Sequence, residues 1–162
     1  MLFRRVLFAT DFSDVSREAL GYVLKLQQAG CREVVLVHVI DERETNAILT
    51  EPSGFIEPSG GYEHQIITRM GENAQKELDE VRQSLVKAGF RVLPYLIDGV
   101  PAREIMRIAD AERVNLIILG SHGKTNLLHI LLGSVSENVL RHARQPVLIV
   151  RRGYVAGEPE EL

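Results

Sequence analysis

Short apolar runs alternate with helical patterns along this chain, and that alternation limits the possible folds more than any other feature. Between the runs, apolar residues such as Val15, Ala19 and Val23 recur at helical spacing. Alternating strands and helices form a parallel sheet, because right-handed crossovers place each helix against a sheet face. We therefore predict an α/β fold, an open doubly wound sheet of five parallel strands in the order 3-2-1-4-5 with helices on both faces. The predicted strands cover residues 6–9, 34–40, 91–97, 116–119 and 146–150.

Length and charge predict one domain without a polyanionic partner. A chain of 162 residues suits a single domain with a substantial core. We predict that residues 1–152 form this domain and that the acidic segment 153–162 is a frayed tail. The formal net charge of −3 gives no electrostatic reason to expect nucleic acid or an anionic membrane surface as a partner.

Amino-acid usage indicates a cytoplasmic protein. No apolar run approaches the roughly 18 residues of a membrane span, and residues 1–5 lead into a strand rather than a signal peptide. The single cysteine, Cys31, cannot form an internal disulfide, which suits a reducing compartment. We expect Cys31 to be a small core side chain.

Capping and turn residues predict several element boundaries. Ser13 or Asp14 can cap the first helix, and Gly89 can stop the long helix before the third strand. Pro101 can start the following helix, since its missing N–H is not needed there. Pro94 cannot donate to a sheet ladder, so the third strand is expected at an edge of the sheet.

Two segments do not match a regular element. Residues 41–61 show no convincing period and contain scattered Pro and Gly, so we predict a mobile connection. Residues 127–132 are too apolar for a free loop, and we expect them to pack over the sheet end or against a partner subunit.

Residues 120–136 carry the most distinctive motif, Gly-x-x-Gly followed after nine residues by Gly-Ser. The segment joins an apolar strand to an amphipathic helix. The first N–H groups of a helix lack intrahelical partners and the helix dipole is positive there, so an anion is stabilised. We predict that Gly120, Gly123, Gly133 and Ser134 contact triphosphate and ribose. Ordinary turn glycines and a helix cap are the alternative, and Ser134 with its third neighbour Glu137 matches a capping box.

Two familiar phosphate motifs are excluded by spacing. The Gly-Lys-Thr at residues 123–125 lacks the P-loop glycine, because Ile118 occupies that position, and the dinucleotide motif Gly-x-Gly-x-x-Gly is missing. The spacing found instead resembles the nucleotide-binding signature of the universal stress protein family, in its ATP-binding branch. The resemblance extends from Val6 to Arg151.

Asp11 ends the predicted first strand at the point where the winding of the sheet reverses. Ligands of doubly wound folds bind in the crevice at this point, here between strands one and four. A carboxylate repels polyphosphate unless a divalent cation bridges the two or the carboxylate faces a ribose hydroxyl. We predict a ligand role for Asp11, with Mg²⁺ or Mn²⁺ as the metal, and a cap of the first helix as the alternative.

The family resemblance implies further ATP contacts. Ala9, Thr10 and Asp11 match positions that contact the nucleotide, and Val39 matches the position that holds adenine. His122 can meet phosphate oxygens through its ring or backbone, and Lys124 is a plausible counter-charge. The full set of expected ATP-binding residues is Ala9, Thr10, Asp11, Val39, Gly120, His122, Gly123, Gly133, Ser134, Val135 and Ser136.

The leading hypothesis is an ATP-binding switch or signalling module whose signalling partner is unknown. The family implies a homodimer through the last strand, Val147 to Val150, which is apolar on both faces at a sheet edge. One alternative is an enzyme that cleaves or transfers the nucleotide's phosphates, and another is an interaction module without nucleotide. We expect very slow ATP hydrolysis or none, because the sequence supplies no partner to orient His122 as a base.

Overall fold

The computed structural model describes residues 3–50, 61–122 and 132–151, which form five strands and five helices. The strands are β1 (Arg5–Ala9), β2 (Glu33–Asp41), β3 (Arg91–Gly99), β4 (Leu116–Gly120) and β5 (Val147–Val150). The helices are α1 (Asp14–Lys25), α2 (Glu42–Thr50), α3 (Gly61–Lys87), α4 (Pro101–Ala111) and α5 (Ser134–His142). The expected acidic tail, 153–162, lies outside the described residues.

The five strands form one parallel sheet in the order β3-β2-β1-β4-β5, as predicted. Val6 of β1 is aligned with Val34 of β2 on one side and with Leu116 of β4 on the other. The carboxyl ends of β1 and β4 are therefore neighbours, and their following loops lie at the same edge of the sheet.

Side chains alternate between two cores on opposite faces of the sheet. Phe8 packs with the face covered by α1 and α3, whereas its neighbour Leu7 packs with the face covered by α4 and α5. Both side chains are at most 1% exposed, so each contributes about 1.5–3 kcal/mol by leaving water. This two-sided burial explains why the strands read as continuous apolar runs.

The predicted boundary residues have the expected roles. Ser13 caps α1 by accepting a 3.3 Å hydrogen bond from the Ser16 N–H. Pro101 lies in the first turn of α4, and Gly89, with φ of +90°, follows α3. Pro94 lies in the edge strand β3, where its missing N–H does not interrupt the sheet.

Two sequence predictions are wrong. Residues 42–50, which were expected to belong to a mobile connection, form helix α2. Asp41 caps this helix by accepting a 3.0 Å hydrogen bond from the Arg43 N–H. Ser134 is not the N-cap of a capping box, because Gly133 is the N-cap of α5, makes no side-chain bond, and accepts the Glu137 N–H through its carbonyl. Residues 51–60 and 123–131 lie outside the described residues. Among the described helices, none has the length and apolarity needed to cross a bilayer.

Candidate functional site

A cavity of about 530 Å³ opens over the carboxyl ends of β1, β2 and β4. Its volume lies in the range of small-molecule sites. All the expected site residues that the structure describes line this one cavity, and Gly123 lies outside the described residues. Those residues are Ala9, Thr10, Asp11, Val39, Gly120, His122, Gly133, Ser134, Val135 and Ser136.

The β1–α1 loop forms one wall of the cavity. Its carboxylate, Asp11, is half-buried and accepts two hydrogen bonds at Oδ1, from the Ser13 N–H at 3.1 Å and the Ser13 hydroxyl at 2.6 Å. Asp11 therefore supports the residue that caps α1 while it also faces the cavity. The capping role and the ligand role are compatible at this side chain.

The end of β4 and the start of α5 form the opposite wall, and two hydrogen bonds tie them together. The Ser136 hydroxyl donates a 2.6 Å hydrogen bond to the Gly120 carbonyl, and the Gly133 N–H donates a 2.7 Å bond to the Ser121 carbonyl. These bonds bring the N-terminus of α5 against the end of β4. Because the Ser136 hydroxyl serves this closure, its contact with a ligand would come through the backbone.

The first turn of α5 supplies the cavity with main-chain donors. Ser134, Val135 and Ser136 are its first three residues and line the cavity, and no side chain caps this helix at Gly133. Their N–H groups precede the intrahelical hydrogen-bond ladder and carry the positive end of the helix dipole. This arrangement binds an anion such as phosphate.

His122 lies beside these donors and has an orienting neighbour in the structure. Its Nδ1 is 2.8 Å from the hydroxyl of Ser121, which is fully buried. The sequence interpretation found no partner for His122, because a neighbouring serine in a loop carries no signal of its direction. The ring orientation is thus fixed on the cavity wall.

Sequence reasoning missed the third wall, which α2 and α3 provide. Met70, Asn73 and Glu77 share one face of α3 and line the cavity above the end of β2. Arg43 of α2 forms an ion pair with Asp41 at 2.5 Å. The Arg43 guanidinium holds the pKa of the Asp41 carboxyl below its usual range. The spacing of three and four residues on α3 was visible in the sequence, but the position of this face over β2 was not.

Comparison with known proteins identifies the family of this chain. A model described as the universal stress protein family matches residues 2–151. This chain belongs to the universal stress protein family. Universal stress protein MJ0577 from Methanocaldococcus jannaschii is 38% identical over 157 residues, which cover 94% of this chain and 97% of that protein. Universal stress protein YxiE from Bacillus subtilis is 30% identical over 150 residues, 93% of this chain and 100% of YxiE.

Solved structures show the same fold in other universal stress proteins. The structure of MJ0577 matches with a TM-score of 0.82 at 37% identity, over 96% of this chain and 100% of that one. A universal stress protein in complex with cAMP matches at 21% identity with a TM-score of 0.65, over 93% of this chain and 98% of that one. The universal stress protein from Archaeoglobus fulgidus in complex with dAMP matches at 20% identity with a TM-score of 0.59, over 93% and 99%. At the identities of the two complexes, the likeness concerns the fold alone.

The cavity of this universal stress protein is acidic among its described residues. Asp11, Asp41, Glu44 and Glu77 line it, against the single guanidinium of Arg43. The negative potential of these carboxylates opposes polyphosphate binding, so a bound polyphosphate needs a cation or many N–H donors beside it. The described residues contain no group of three or more His, Cys, Asp or Glu side chains placed to hold a metal. Magnesium and manganese ions can be held by one or two carboxylates, and the half-buried Asp11 is a candidate ligand.

Proposed function

We propose that this chain binds ATP in the cavity between β1 and β4. The observation that carries the proposal is the convergence of Asp11, the end of β4 and the first turn of α5 on one cavity. The triphosphate lies against Gly120, His122 and the N–H groups of Ser134 to Ser136, where the helix dipole favours an anion. The ribose lies by Asp11, and Val39 at the end of β2 holds the adenine.

The fold supports this proposal, because universal stress proteins have been solved with cAMP and with dAMP. Both ligands are adenine nucleotides, so proteins of this fold can bind an adenine base with its sugar and phosphate. The glycines of the Gly-x-x-Gly and Gly-Ser motifs between residues 120 and 134 also support the proposal, because glycine lets the main chain come close to a ligand.

We propose that Asp11 would hold Mg²⁺ or Mn²⁺ when the metal and ATP are bound. The metal, when bound, neutralises phosphate charge beside an acidic cavity wall. Asp11 fits as its protein ligand, because Oδ1 is held by Ser13 and the carboxylate lies on the cavity wall. ATP affinity should therefore fall when the divalent cation is chelated.

The bound ATP acts as a switch in a cytoplasmic signalling module of the stress response, and a partner protein recognises the ATP-bound state. A slow ATPase is the second candidate function, and one observation favours it. The 2.8 Å contact between Ser121 Oγ and His122 Nδ1 orients an imidazole at the expected phosphate site, where a base could act on water.

We also propose a homodimer through β5. The edge strand Val147–Val150 contains neither charge nor proline, and one row of its backbone groups pairs with no strand among the described residues. The opposite edge strand, β3, contains Pro94, whose missing N–H disfavours pairing with another strand. The asymmetry between the two edges makes β5 the edge suited to a second copy.

The experiment that tests ATP binding is mass analysis of small molecules released from the purified protein by mild denaturation. Near-stoichiometric ATP is the expected result. A protein that releases no nucleotide, and that also fails to bind added ATP with Mg²⁺, would contradict the proposal and favour an interaction module without nucleotide.

A further inference from the structure

His38 is a buried polar side chain in β2 for which the proposed nucleotide contacts provide no role. The residue is 8% exposed, and its Nδ1 lies 2.7 Å from the Thr10 carbonyl oxygen. A carbonyl oxygen only accepts hydrogen bonds, so Nδ1 carries the proton and donates. The contact therefore fixes the ring tautomer when His38 is neutral and persists when the ring is charged.

The hydrogen bond between His38 and the Thr10 carbonyl lies just beyond the last paired residues of β1 and β2. The paired register of β1 and β2 ends at Ala9 and Val37, and the Thr10 N–H still donates to the Val37 carbonyl at 2.9 Å. The imidazole of His38 then holds the carbonyl of the same residue. Both backbone polar groups of Thr10 are thus fixed by β2, one by main chain and one by a side chain.

The side chain of Thr10 extends this network into the loop. Its Oγ1 accepts the Ser16 hydroxyl at 2.6 Å and the Phe12 N–H at 3.0 Å. Thr10 and Ser16 are both buried, so these bonds are sheltered from competition with water. The loop between Thr10 and Ser16 is therefore held at both ends from inside the fold.

Phe12 adopts a conformation that its neighbours must maintain. Its φ is +64°, in the left-handed region that a bulky side chain rarely occupies. Its ring packs on the His38 ring with 4.4 Å between centroids and 34° between planes. Strained residues persist where surrounding contacts determine them, and they concentrate at functional sites.

Asp11 lies between these two constrained residues. From these contacts we propose that His38 is a positioning residue that holds Asp11 in its ligand-binding orientation. His38 acts through the Thr10 carbonyl and the Phe12 ring, so that the carboxylate faces the nucleotide before the ligand arrives. This inference rests on the proposed ATP site and adds to it a residue that supports the ligand-binding loop.

The test is a double-mutant cycle between His38 and Asp11, with ATP affinity measured by calorimetry. His38→Leu removes the donor and should weaken ATP binding roughly five- to tenfold, the effect of one lost hydrogen bond. In an Asp11→Ala background the same substitution should have almost no effect, because the carboxylate that it positions is gone. His38→Asn keeps a donor at the place of Nδ1 and should recover most of the affinity.

Three results would overturn the inference while the proposed function stands. The first is an equal loss of ATP affinity from His38→Leu in both backgrounds, which indicates direct contact of His38 with ATP. The second is no loss of affinity, and the third is an equal loss for His38→Leu and His38→Asn. Amide spectra of the ligand-free variants give a second readout. His38→Leu should shift the amide resonances of residues 10–13 more than His38→Asn, which removes the ring next to Phe12 but keeps the hydrogen bond to the Thr10 carbonyl. If wild-type protein bound no ATP, the proposed function would fail, and these spectra would still decide whether His38 orders the loop.

Discussion

Gly120 at the end of β4 lies directly against Val15 of α1. A Cβ built on Gly120 would be 2.9 Å from Val15 Cγ1, closer than such atoms approach in real proteins. The position also lies 3.4 Å from the Ser16 N–H, within the first turn of α1. The absence of a side chain at Gly120 thus permits the contact between the two halves of the site.

Gly120→Ala should therefore destabilise the fold and weaken ATP binding. The added methyl group forces α1 away from β4, and overpacking of this kind costs about 1–3 kcal/mol. Urea unfolding measures the loss of free energy of unfolding. Gly21→Ala is the matched control, because a Cβ there has no atom within 4 Å and α1 should gain about 0.5–1 kcal/mol. Equal effects of the two substitutions would contradict the packing argument.

Acid should remove stability that Glu33 provides at neutral pH. The Arg5 guanidinium, 2.6 Å away, holds the pKa of the Glu33 carboxyl below its usual value of 4.5. A lowered pKa in the fold means that the stabilisation is complete above that usual value and is lost as pH falls through the folded pKa. Glu33→Gln should lower stability at pH 7 and flatten its decline in acid.

Urea midpoints measured from pH 7 down to about pH 3 test this prediction. Glu72→Gln removes the same charge from an exposed position of α3 and serves as the control. An acid decline of the Glu33→Gln protein as steep as that of the wild type would show that the ion pair with Arg5 contributes nothing.

The sheet and one half of the site could be predicted because their signals are local in the sequence. Strands buried on both faces appear as apolar runs, and the spacing of Gly120 and Gly133 indicates a loop before a helix. The structure brings those glycines to the same cavity as Asp11 because β1 and β4 are neighbours.

What could not be predicted depends on contacts between distant segments or on a single local bond. Helix α2 is nine residues long, and its start depends on the hydrogen bond from the Arg43 N–H to Asp41. His38 reads as a core histidine in the sequence, since only the loop geometry places the Thr10 carbonyl beside its ring. From the sequence alone, the face of α3 that carries Asn73 is expected to be solvent-exposed, and only the position of the helix over β2 brings it to the cavity.

A proline at position 149 should separate the proposed dimer. The carbonyls of Pro146 and Val150 accept hydrogen bonds from Ile117 and Ser121, so the backbone groups of Ile149 turn away from β4. Ile149→Pro therefore removes a donor from the free edge and leaves the ladder to β4 intact. Sedimentation equilibrium should give a monomer for this variant and a dimer for Ile149→Val. A monomeric wild-type protein at micromolar concentration would refute the dimer.

Hydrolysis of ATP by the isolated protein should be far slower than the roughly 1 s⁻¹ of ordinary enzymes. His122 is oriented by Ser121, but the described cavity lining offers only Arg43 as a fixed cation, and Arg43 is paired with Asp41. Apart from the metal ion, transition-state charge on the phosphates thus lacks an unpaired guanidinium or ammonium group among the described cavity residues. Single-turnover phosphate release with Mg²⁺ or Mn²⁺ measures the rate. A rate near 1 s⁻¹ that His122→Ala abolishes would make this chain an ATPase.

The central claim is that ATP occupies the cavity between β1 and β4, and calorimetric titration of a cavity-filled variant tests it most directly. Val39 is half-buried on the cavity wall, so Val39→Trp places an indole where the adenine should lie. Val86 is 50% exposed on α3 and does not line the cavity, which makes Val86→Trp the matched control. With any copurified nucleotide removed first, we predict one ATP per chain for the wild type and Val86→Trp, and no measurable binding for Val39→Trp. Unchanged ATP affinity in Val39→Trp, with the fold intact by circular dichroism, would contradict the claim.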